Sequence, residues 1–493
     1  MAAKQRPYQY YDSTISLCST CLTRIDAKIV FQDGCVWMLK RCPEHGPERV
    51  LMADDIGYYK LARETFIKTP EQVIAPNTAA KFGCPYDCGI CPDHEQHGCT
   101  LLIEVTDNCN LRCPTCYAGS GPERQTHRGL EQIARMLDRA VANEGEPSII
   151  QISGGEPTVH PQFFEILDLV RQRPVRHLMV NTNGVRIAND GDFAKRLADY
   201  SPGLEIYLQF DSFRAGVLQA LRGTDLRNAH KRAIGRLNEL GIHTTLVATV
   251  RRGLNEDELG EIIDYGTQQP CVRGVTFQPV QAAGRLEGYE HGYDAERDRL
   301  TLTEIRRKIL QQFPAFAPED LIPVPCHPDH LAMAYALKLE KGLLPLTGLV
   351  DPEFLIEAGR ATITYERDPA IREHFLNLFS THHSISSQTE AMTGFLDGLG
   401  NRTMSDLSYA NIFRVLIVEF IDAHTFDLRA VRKTCVHIVH PDGNRVIPFD
   451  TYNLLYRDDL QAQVLEPLRN RRNTVLNGPI SLARYKTATA TQP

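Results

Sequence analysis

Residues 101–118 read LLIEVTDNCNLRCPTCYA, an apolar run that leads directly into three closely spaced cysteines. The run 101–105 has the length and the Leu, Ile and Val content of a strand that is covered on both faces. Cys109, Cys113 and Cys116 follow it with the spacing C-x3-C-x2-C. Three thiolates this close can hold three corners of a [4Fe–4S] cluster and leave the fourth iron free to bind a small molecule. The alternative is a zinc site whose fourth ligand comes from elsewhere in the chain.

A glycine-rich turn follows the next predicted strand, residues 148–152. It reads SGGEP over residues 153–157. Gly154 and Gly155 expose backbone N–H and C=O groups to a ligand that approaches closely, and Glu156 can form an ion pair with an ammonium group. Such a turn is by itself more often structural than functional. Its position, one predicted strand after the cysteine triad, indicates a shared ligand site.

Strands and helices alternate along the middle of the chain. The best-defined helix places Leu130, Ile133, Leu137 and Val141 three and four residues apart, on one stripe. This alternation predicts an α/β fold with a parallel sheet, closed or partly closed, and right-handed crossovers. The chemistry of such folds lies at the carboxyl ends of the strands. The predicted strands are residues 101–105, 148–152, 177–181, 204–210, 243–250 and 272–278.

The triad and the SGGEP turn together resemble the radical S-adenosylmethionine (radical SAM) enzymes, over residues 101–285. In that family the triad holds the catalytic [4Fe–4S] cluster, and the glycine-rich turn binds the methionine amino group of S-adenosylmethionine (SAM). The resemblance implies a partial (β/α)6 TIM-like barrel. It also implies that one electron cleaves SAM to methionine and a 5′-deoxyadenosyl radical, which abstracts hydrogen from an unactivated C–H bond.

The same resemblance implies further SAM contacts at the ends of later strands. Asn183 and Asp211 stand where the family contacts the methionyl or ribose group, and Gln278 ends the strand whose backbone binds the adenosine. The residue before the third cysteine is commonly aromatic in the family, but here it is Thr115. Tyr117 is therefore expected to supply the adenine contact.

Cysteines are concentrated near the start of the chain, where 11 of the 14 lie within the first 116 residues. Because structural disulfides are rare in the cytoplasm, such clusters indicate metal sites. A second C-x3-C-x2-C triad, Cys84, Cys88 and Cys91, precedes the first by 25 residues but has no apolar strand before it. We expect it to hold an auxiliary [4Fe–4S] cluster, with a structural zinc as the alternative. The candidates to complete this site are Cys99, His94 and His97.

The N-terminal residues predict a small metal-binding module. Cys18 and Cys21 form one pair of ligands, and Cys42 and His45 form another, which together suit a tetrahedral zinc or mononuclear iron site. Cys35 is the rival fourth ligand. A module this small buries little core, so the metal would hold it together. The alternative is a module with buried free cysteines.

The layout of the whole chain resembles a radical SAM subgroup that includes archaeal tetraether synthase and a pterin methyltransferase. The shared segments include residues 42–46, 84–92 and 435–437. In the subgroup, downstream cysteines are expected to ligate auxiliary clusters, which makes Cys326 and Cys435 candidate ligands. Taken alone, each would more often be a buried cysteine. His330 and Asp450 stand where cysteines are expected, so they either ligate in their place or leave one site altered.

Composition limits the classes of partner. The formal net charge of −7, from 54 Lys and Arg against 61 Asp and Glu, argues against nucleic acid as the main partner. No run of 18 apolar residues predicts a membrane span, and the first 13 residues lack the apolar core of a secretion signal, so a cytoplasmic location is expected. The predicted divisions are a metal-binding module over residues 1–80, an auxiliary iron–sulfur segment over 81–100, the core barrel over 101–290, a mostly helical substrate-side region over 291–410, and a C-terminal helix and hairpin with a disordered tail over 411–493.

Three functions are compatible with these motifs. The preferred hypothesis is a radical enzyme that forms C–C bonds on a lipid or isoprenoid chain, which predicts a long apolar tunnel and peripheral contact with a membrane. The second is a radical methyltransferase acting on a pterin-like ring, which predicts a compact polar pocket. The third is an iron–sulfur electron carrier without SAM chemistry. Either enzyme would need an electron donor such as ferredoxin or flavodoxin.

Overall fold

The computed structural model describes residues 6–339, 342–357 and 411–477. The chain begins with a four-stranded antiparallel sheet in the order β1-β2-β3-β4. Val36 and Met38, on alternate positions of its third strand, are fully buried in a core of only a few side chains. The strands are β1 (Gln9–Leu17), β2 (Arg24–Gln32), β3 (Cys35–Cys42) and β4 (Gly46–Ala53).

A second, 12-stranded mixed sheet forms most of the remaining structure. Its strands, together with a short two-stranded pair (β6 and β12), are β5 (Thr100–Thr106), β6 (Thr115–Cys116), β7 (Ile149–Gly154), β8 (His177–Thr182), β9 (Leu204–Gln209), β10 (His243–Val250), β11 (Val272–Pro279), β12 (Arg285–Leu286), β13 (Ile322–Pro323), β14 (Leu331–Leu339), β15 (Gly342–Pro345), β16 (Ile412–Val418), β17 (Val436–Val439) and β18 (Val446–Pro448).

The central strands run parallel in the order β16-β11-β10-β9-β8-β7-β5-β17. Antiparallel strands flank them: β14 pairs with β16, and β18 pairs with β17. Within the described residues β13 and β18 are the two unjoined ends of the sheet, so the barrel is partial. All six predicted strands are present, and the predicted α/β fold with a partial barrel is confirmed.

Helices cover the outer face of the parallel strands. The stripe predicted from Leu130 onward is α2, which buries Ile133, Met136 and Leu137 against the sheet. None of the helices in the described ranges is long and apolar enough to cross a membrane. The helices are α1 (Ile56–Lys60), α2 (Leu130–Glu144), α3 (Phe163–Arg171), α4 (Val185–Asn189), α5 (Gly191–Ala198), α6 (Ala215–Arg222), α7 (Arg227–Glu239), α8 (Leu259–Gln268), α9 (Ala295–Asp298), α10 (Leu302–Gln312), α11 (Pro352–Glu357), and later Leu428–Val431, Phe449–Thr451 and Glu466–Asn477. Turns of 3-10 helix occur at Pro157–Val159 and Thr347–Leu349, and π-helical turns at Leu61–Thr65, Tyr452–Tyr456 and Gln461–Leu465.

Two segments differ from their predicted secondary structure. The helix expected from residue 411 is the strand β16, because Phe413, Val415 and Ile417 alternate with the residues that face the barrel interior. In the region expected to be mostly helical, α9 and α10 are followed by the nine-residue strand β14, which extends the same sheet. The remainder of that region, residues 358–410, and the tail predicted to be disordered lie outside the described residues.

Buried ion pairs join distant parts of the chain around the barrel. The Arg63 Nε lies 2.5 Å from an Asp329 carboxylate oxygen, and its Nη2 lies 2.5 Å from an Asp427 oxygen. All three side chains are at most 3% exposed. The segment after the N-terminal sheet is thereby fixed to both downstream regions that carry the outlying cysteines.

Candidate functional site

A cavity of ≈ 220 Å³ opens at the carboxyl ends of β5, β7, β8, β9 and β11 and extends into the barrel. Cys109, Cys113 and Cys116 all line it, on the loop that follows β5. The third cysteine is held in place by the short pairing of β6 with β12, in which Cys116 lies opposite Arg285. The other predicted cofactor-binding residues that line this cavity are Gly154, Gly155, Glu156, Asn183, Gln278 and Tyr117.

The two glycines of the SGGEP turn lie directly against the cysteine loop. The Gly155 N–H donates to the Thr106 carbonyl over 2.8 Å, and the Glu156 N–H donates to the Asn108 carbonyl over 2.9 Å. A Cβ at Gly154, whose φ is +132°, would lie 2.3 Å from the Thr106 oxygen, and one at Gly155 would lie 2.2 Å from the Asn108 oxygen. Glycine is therefore required here because backbone meets backbone. The turn and the loop that carries the cysteines form one unit.

Glu156 connects the ends of β7 and β8 through its carboxylate. Its Oε1 accepts hydrogen bonds from the Thr158 N–H and Oγ1 and from the Thr182 Oγ1, at 3.1, 2.6 and 2.7 Å. Its Oε2 accepts one from the Asn183 N–H at 2.8 Å. The side chain is 1% exposed, and burial raises its pKa. Contact with an ammonium group is still a prediction, and Oε2 is the oxygen with capacity for it.

We expect Glu156→Gln to weaken SAM binding about tenfold while leaving the iron content unchanged. The amide nitrogen of Gln would face N–H and O–H donors where an oxygen now accepts, so Asn183 and the turn would shift. Equilibrium binding of SAM to the reconstituted protein measures the effect. An unchanged dissociation constant would remove Glu156 from the SAM site.

Asp211 does not line the cavity, contrary to the predicted SAM contact. It is fully buried, and its two carboxylate oxygens accept hydrogen bonds from the Arg222 guanidinium at 2.6 and 2.7 Å. One of them also accepts from the Thr249 N–H at 2.9 Å. Both carboxylate oxygens are therefore occupied by protein donors, and Asp211 acts by positioning Arg222.

Arg222 is a cavity residue that the sequence analysis missed. It ends α6 and reaches the Gln209 Oε1 at 2.9 Å and the sulfur of Cys113. Burial raises the pKa of the Cys113 thiol, and the adjacent guanidinium opposes that rise. An arginine in the last turn of a helix is usually interpreted as a complement to the helix dipole. The spacing between Arg222 and Asp211 was therefore the only feature of the sequence that could have indicated a role for Arg222 in the site.

The residues at the mouth of the cavity fit the expected cluster and cofactor. Three half-buried or buried thiols share one loop, and a cation lies beside one of them, which favours the thiolate form that binds iron. A [4Fe–4S] cluster held there would supply the electron that cleaves bound SAM. The chain's own contribution is to hold the loop against the SGGEP turn and to enclose the space between them.

The second triad lines a separate small cavity. Cys84, Cys88 and Cys91 share it with His94 and Arg432. Cys99, which was expected to complete this site, lies elsewhere. Cys99 directly precedes β5, and β5 pairs with β17 in the main sheet. This pairing places Cys99 beside the downstream cysteines instead of the second triad, so the prediction is wrong.

Cys99 lies with Cys326 and Cys435, and their three sulfurs are within 4.8 Å of one another. The Cys326 and Cys435 sulfurs are 3.4 Å apart, and all three residues are buried. The His97 Nε2 lies 3.7 Å from the Cys99 sulfur, outside the group of mutually close atoms, and the buried Nδ1 of His330 has no hydrogen-bond partner among the described residues. The three thiols fit a further cluster, for which the role of His330 is still a prediction.

In the N-terminal sheet, the ligand atoms of Cys18, Cys21, Cys42 and His45 also lie within 4.8 Å of one another. The His45 Nδ1 is 3.6 Å from the Cys18 sulfur and 3.5 Å from the Cys42 sulfur. The hydrogen bond with His45 lowers the pKa of Cys42 to about 6. Cys35 is outside the group, so the arrangement favours the four residues in the paired spacing over their rival. Their geometry fits a tetrahedral zinc.

Family models and known proteins match parts of the chain. The radical SAM superfamily model matches residues 103–266, and the model of the HMPTM N-terminal zinc ribbon domain matches residues 10–54. GTP 3′,8-cyclase of Syntrophomonas wolfei is 30% identical over 195 residues, which cover 38% of this chain and 57% of the cyclase. The solved structure of Streptococcus suis SuiB bound to SAM superposes with a TM-score of 0.35 at 18% identity, over 43% of this chain and 46% of SuiB.

The similarity to a curated methyltransferase extends over nearly the whole length of both chains. The 7,8-dihydro-6-hydroxymethylpterin dimethyltransferase of Methanocaldococcus jannaschii is 30% identical over 500 residues, which cover 92% of this chain and 96% of that protein. The chain is thus a radical SAM enzyme and belongs to the family of this pterin dimethyltransferase.

Proposed function

We propose that the protein is a radical SAM methyltransferase that acts on a pterin-like ring. The observation that carries the proposal is the cavity beside Cys109, Cys113 and Cys116, which is small and has one polar and one apolar wall. The full-length similarity to a pterin dimethyltransferase supports the same substrate class.

The polar wall consists of carboxamide side chains from neighbouring parallel strands. Gln151, Asn181, Gln209 and Gln278 line the cavity from β7, β8, β9 and β11. The Gln209 Nε2 donates to the Asn181 Oδ1 over 2.8 Å, and the Gln278 Nε2 donates to a tyrosine hydroxyl over 3.2 Å. Carboxamides offer both donors and acceptors without charge, which suits the alternating donors and acceptors along the edge of a pterin ring.

The apolar wall presents aromatic faces to the same space. Phe420 and Phe449 are stacked with ring centroids 4.1 Å apart and an interplanar angle of 30°. Tyr117 meets Phe449 edge to face at 5.0 Å. A flat heteroaromatic ring could stack on such a surface while its edge faces the carboxamides. This combination supports a ring-sized substrate.

The other two hypotheses receive less support. A lipid chain requires a long apolar passage, whereas four carboxamide side chains line this cavity and its volume within the described residues is ≈ 220 Å³. The cavity therefore supports C–C bond formation on a lipid less well than methylation of a pterin-like ring. An electron carrier has no need of the SGGEP turn, and the chain belongs to a family of enzymes.

The test is anaerobic incubation of the reconstituted protein with SAM, dithionite and 7,8-dihydro-6-hydroxymethylpterin. We expect formation of 5′-deoxyadenosine together with a methylated pterin, both identified by mass spectrometry. Gln151→Leu is the matched variant, because the only hydrogen bond described for the Gln151 side chain goes to a methionine sulfur. It should raise KM for the pterin about tenfold and leave cleavage of SAM alone intact. Cleavage of SAM without any methylated pterin would contradict the proposal.

A further inference from the structure

Cationic side chains surround the second cysteine triad at the protein surface. We refer to Arg24, Lys81, Arg432, Arg469 and Arg472 as the basic patch. They come from β2, from the segment before Cys84, from the turn before β17 and from the C-terminal helix. Residues far apart in the chain therefore place positive charge on one surface, although the chain carries a net charge of −7.

The patch lies directly on the loop of the triad. A Cβ at Gly83, next to Cys84, would lie 2.9 Å from the Arg24 Nη1 and 3.9 Å from the Arg472 Nη2. Arg432 lines the small cavity of the triad itself. The Arg469 Nε donates to the Tyr86 carbonyl over 2.8 Å, within the same loop.

Much of this charge is not neutralised by the protein. Arg432 is 3.6 Å from an Asp93 oxygen and Arg469 is 2.7 Å from a Glu466 oxygen. Over the described ranges of the chain, Arg24 and Arg472 form no ion pair. Partial burial, together with the proximity of Arg472, lowers the pKa of Arg24. Two positive charges held close together without a counterion repel each other. An anionic partner would relieve this repulsion, so the patch favours binding of such a partner.

The triad under this patch is close to the catalytic cavity. Pro448 lines the small cavity of the triad, and the next residue, Phe449, lines the cavity of the catalytic cysteines. Tyr117, adjacent to Cys116, packs on the Phe449 ring at 5.0 Å. Adjacent residues of the backbone thus line the two cavities.

We propose that the basic patch is the docking surface for an acidic electron-carrier protein, which brings its redox group over the Cys84–Cys91 loop. The carrier loses one electron, and SAM gains it as the bond between its sulfur and C5′ breaks to give methionine and the 5′-deoxyadenosyl radical. Charge complementarity selects the partner: positive charge steers an acidic protein and fixes its orientation. Dithionite is small and needs no such surface.

The test compares Arg24→Glu/Arg472→Glu with Lys195→Glu/Lys231→Glu in the full, reconstituted chain. The control pair makes the same charge change on exposed lysines of α5 and α7. Calorimetric titration with oxidised flavodoxin at low salt should show affinity reduced about tenfold or more in the patch variant and unchanged in the control. The rate of 5′-deoxyadenosine formation should fall with reduced flavodoxin but not with dithionite. Neither readout requires a pterin, so the result is independent of the proposed methyltransferase activity.

Several outcomes would overturn the docking proposal. These are unchanged flavodoxin affinity in the patch variant, an equal loss of the dithionite-driven rate, and binding of heparin by the wild-type protein without binding of flavodoxin. If the charge-reversed variant fails to fold, Arg24→Gln/Arg472→Gln replaces it. That variant should still weaken binding measurably and reduce its dependence on salt.

Discussion

Cys113→Ala is expected to abolish release of 5′-deoxyadenosine, to the background of the assay. The variant removes one of the three thiols at the mouth of the barrel cavity, and a cluster held by two thiolates would be lost or displaced. It also removes the sulfur that the Arg222 guanidinium contacts. The measurement is anaerobic turnover of SAM with dithionite, together with the iron content of the reconstituted protein.

Cys35→Ser is the matched control for this variant. Cys35 is a partly buried cysteine of the N-terminal sheet and belongs to neither group of mutually close metal ligands among the described residues. It should keep the iron content and the SAM cleavage of the wild type. Continued release of 5′-deoxyadenosine by Cys113→Ala would move the catalytic role to the triad Cys84–Cys91.

Much of the site was predictable because its signals are local. The triad and the SGGEP turn each lie within a few residues of the strand that precedes them, and parallel strands bring their carboxyl ends to the same edge of a sheet. The fold followed from six short apolar runs, all of which are strands. The four candidate zinc ligands of the N-terminal sheet could also be paired from their spacing alone, because two short turns hold all four. These ligands are Cys18, Cys21, Cys42 and His45.

The grouping of Cys99 could not be predicted from spacing. Its partners Cys326 and Cys435 are distant in the chain, and each comes close only through the main sheet. Cys435 directly precedes β17, whose Val436 lies opposite Thr100 at the start of β5. This pairing brings Cys435 beside Cys99. Three residues that each resemble a lone buried cysteine thus form one group.

The strand β16 was mistaken for a helix because a short apolar run satisfies both periods. Residues 412–418 contain Phe413, Val415 and Ile417 on one face, but Leu416 and Val418 are apolar as well and line the cavity. A helix of the same composition would also have been buried. The neighbouring strands β11 and β14 decide the outcome, since β14 pairs with β16 along its whole length and β11 pairs with residues 414–417.

The positioning role of Asp211 leads to the second large effect: Asp211→Asn should lower the free energy of unfolding by about 3 kcal/mol. Removal of one partner of a buried ion pair leaves the other charge uncompensated. The value is at the lower end of the usual range because the Arg222 side chain keeps 13% exposure toward the cavity. Asn is suited to the test because Asp211 has a φ of +63°, which Asn adopts more readily than other non-glycine residues.

The double variant Asp211→Asn/Arg222→Met shows whether the stability lost in Asp211→Asn comes from the unpaired charge or from altered packing. With both charges gone, the buried site needs no counterion, so we expect a substantial part of the lost stability to return in urea denaturation. SAM binding should be weaker in the double variant than in the wild type, since no guanidinium then faces Cys113 and Gln209. Equal stability of the single and double variants would contradict the ion-pair explanation. Full SAM affinity in the double variant would show that Arg222 supports the fold alone. The measurements of stability and of SAM affinity therefore distinguish two roles of the Asp211–Arg222 ion pair. The pair either stabilises the barrel alone or also positions Arg222 for cofactor binding.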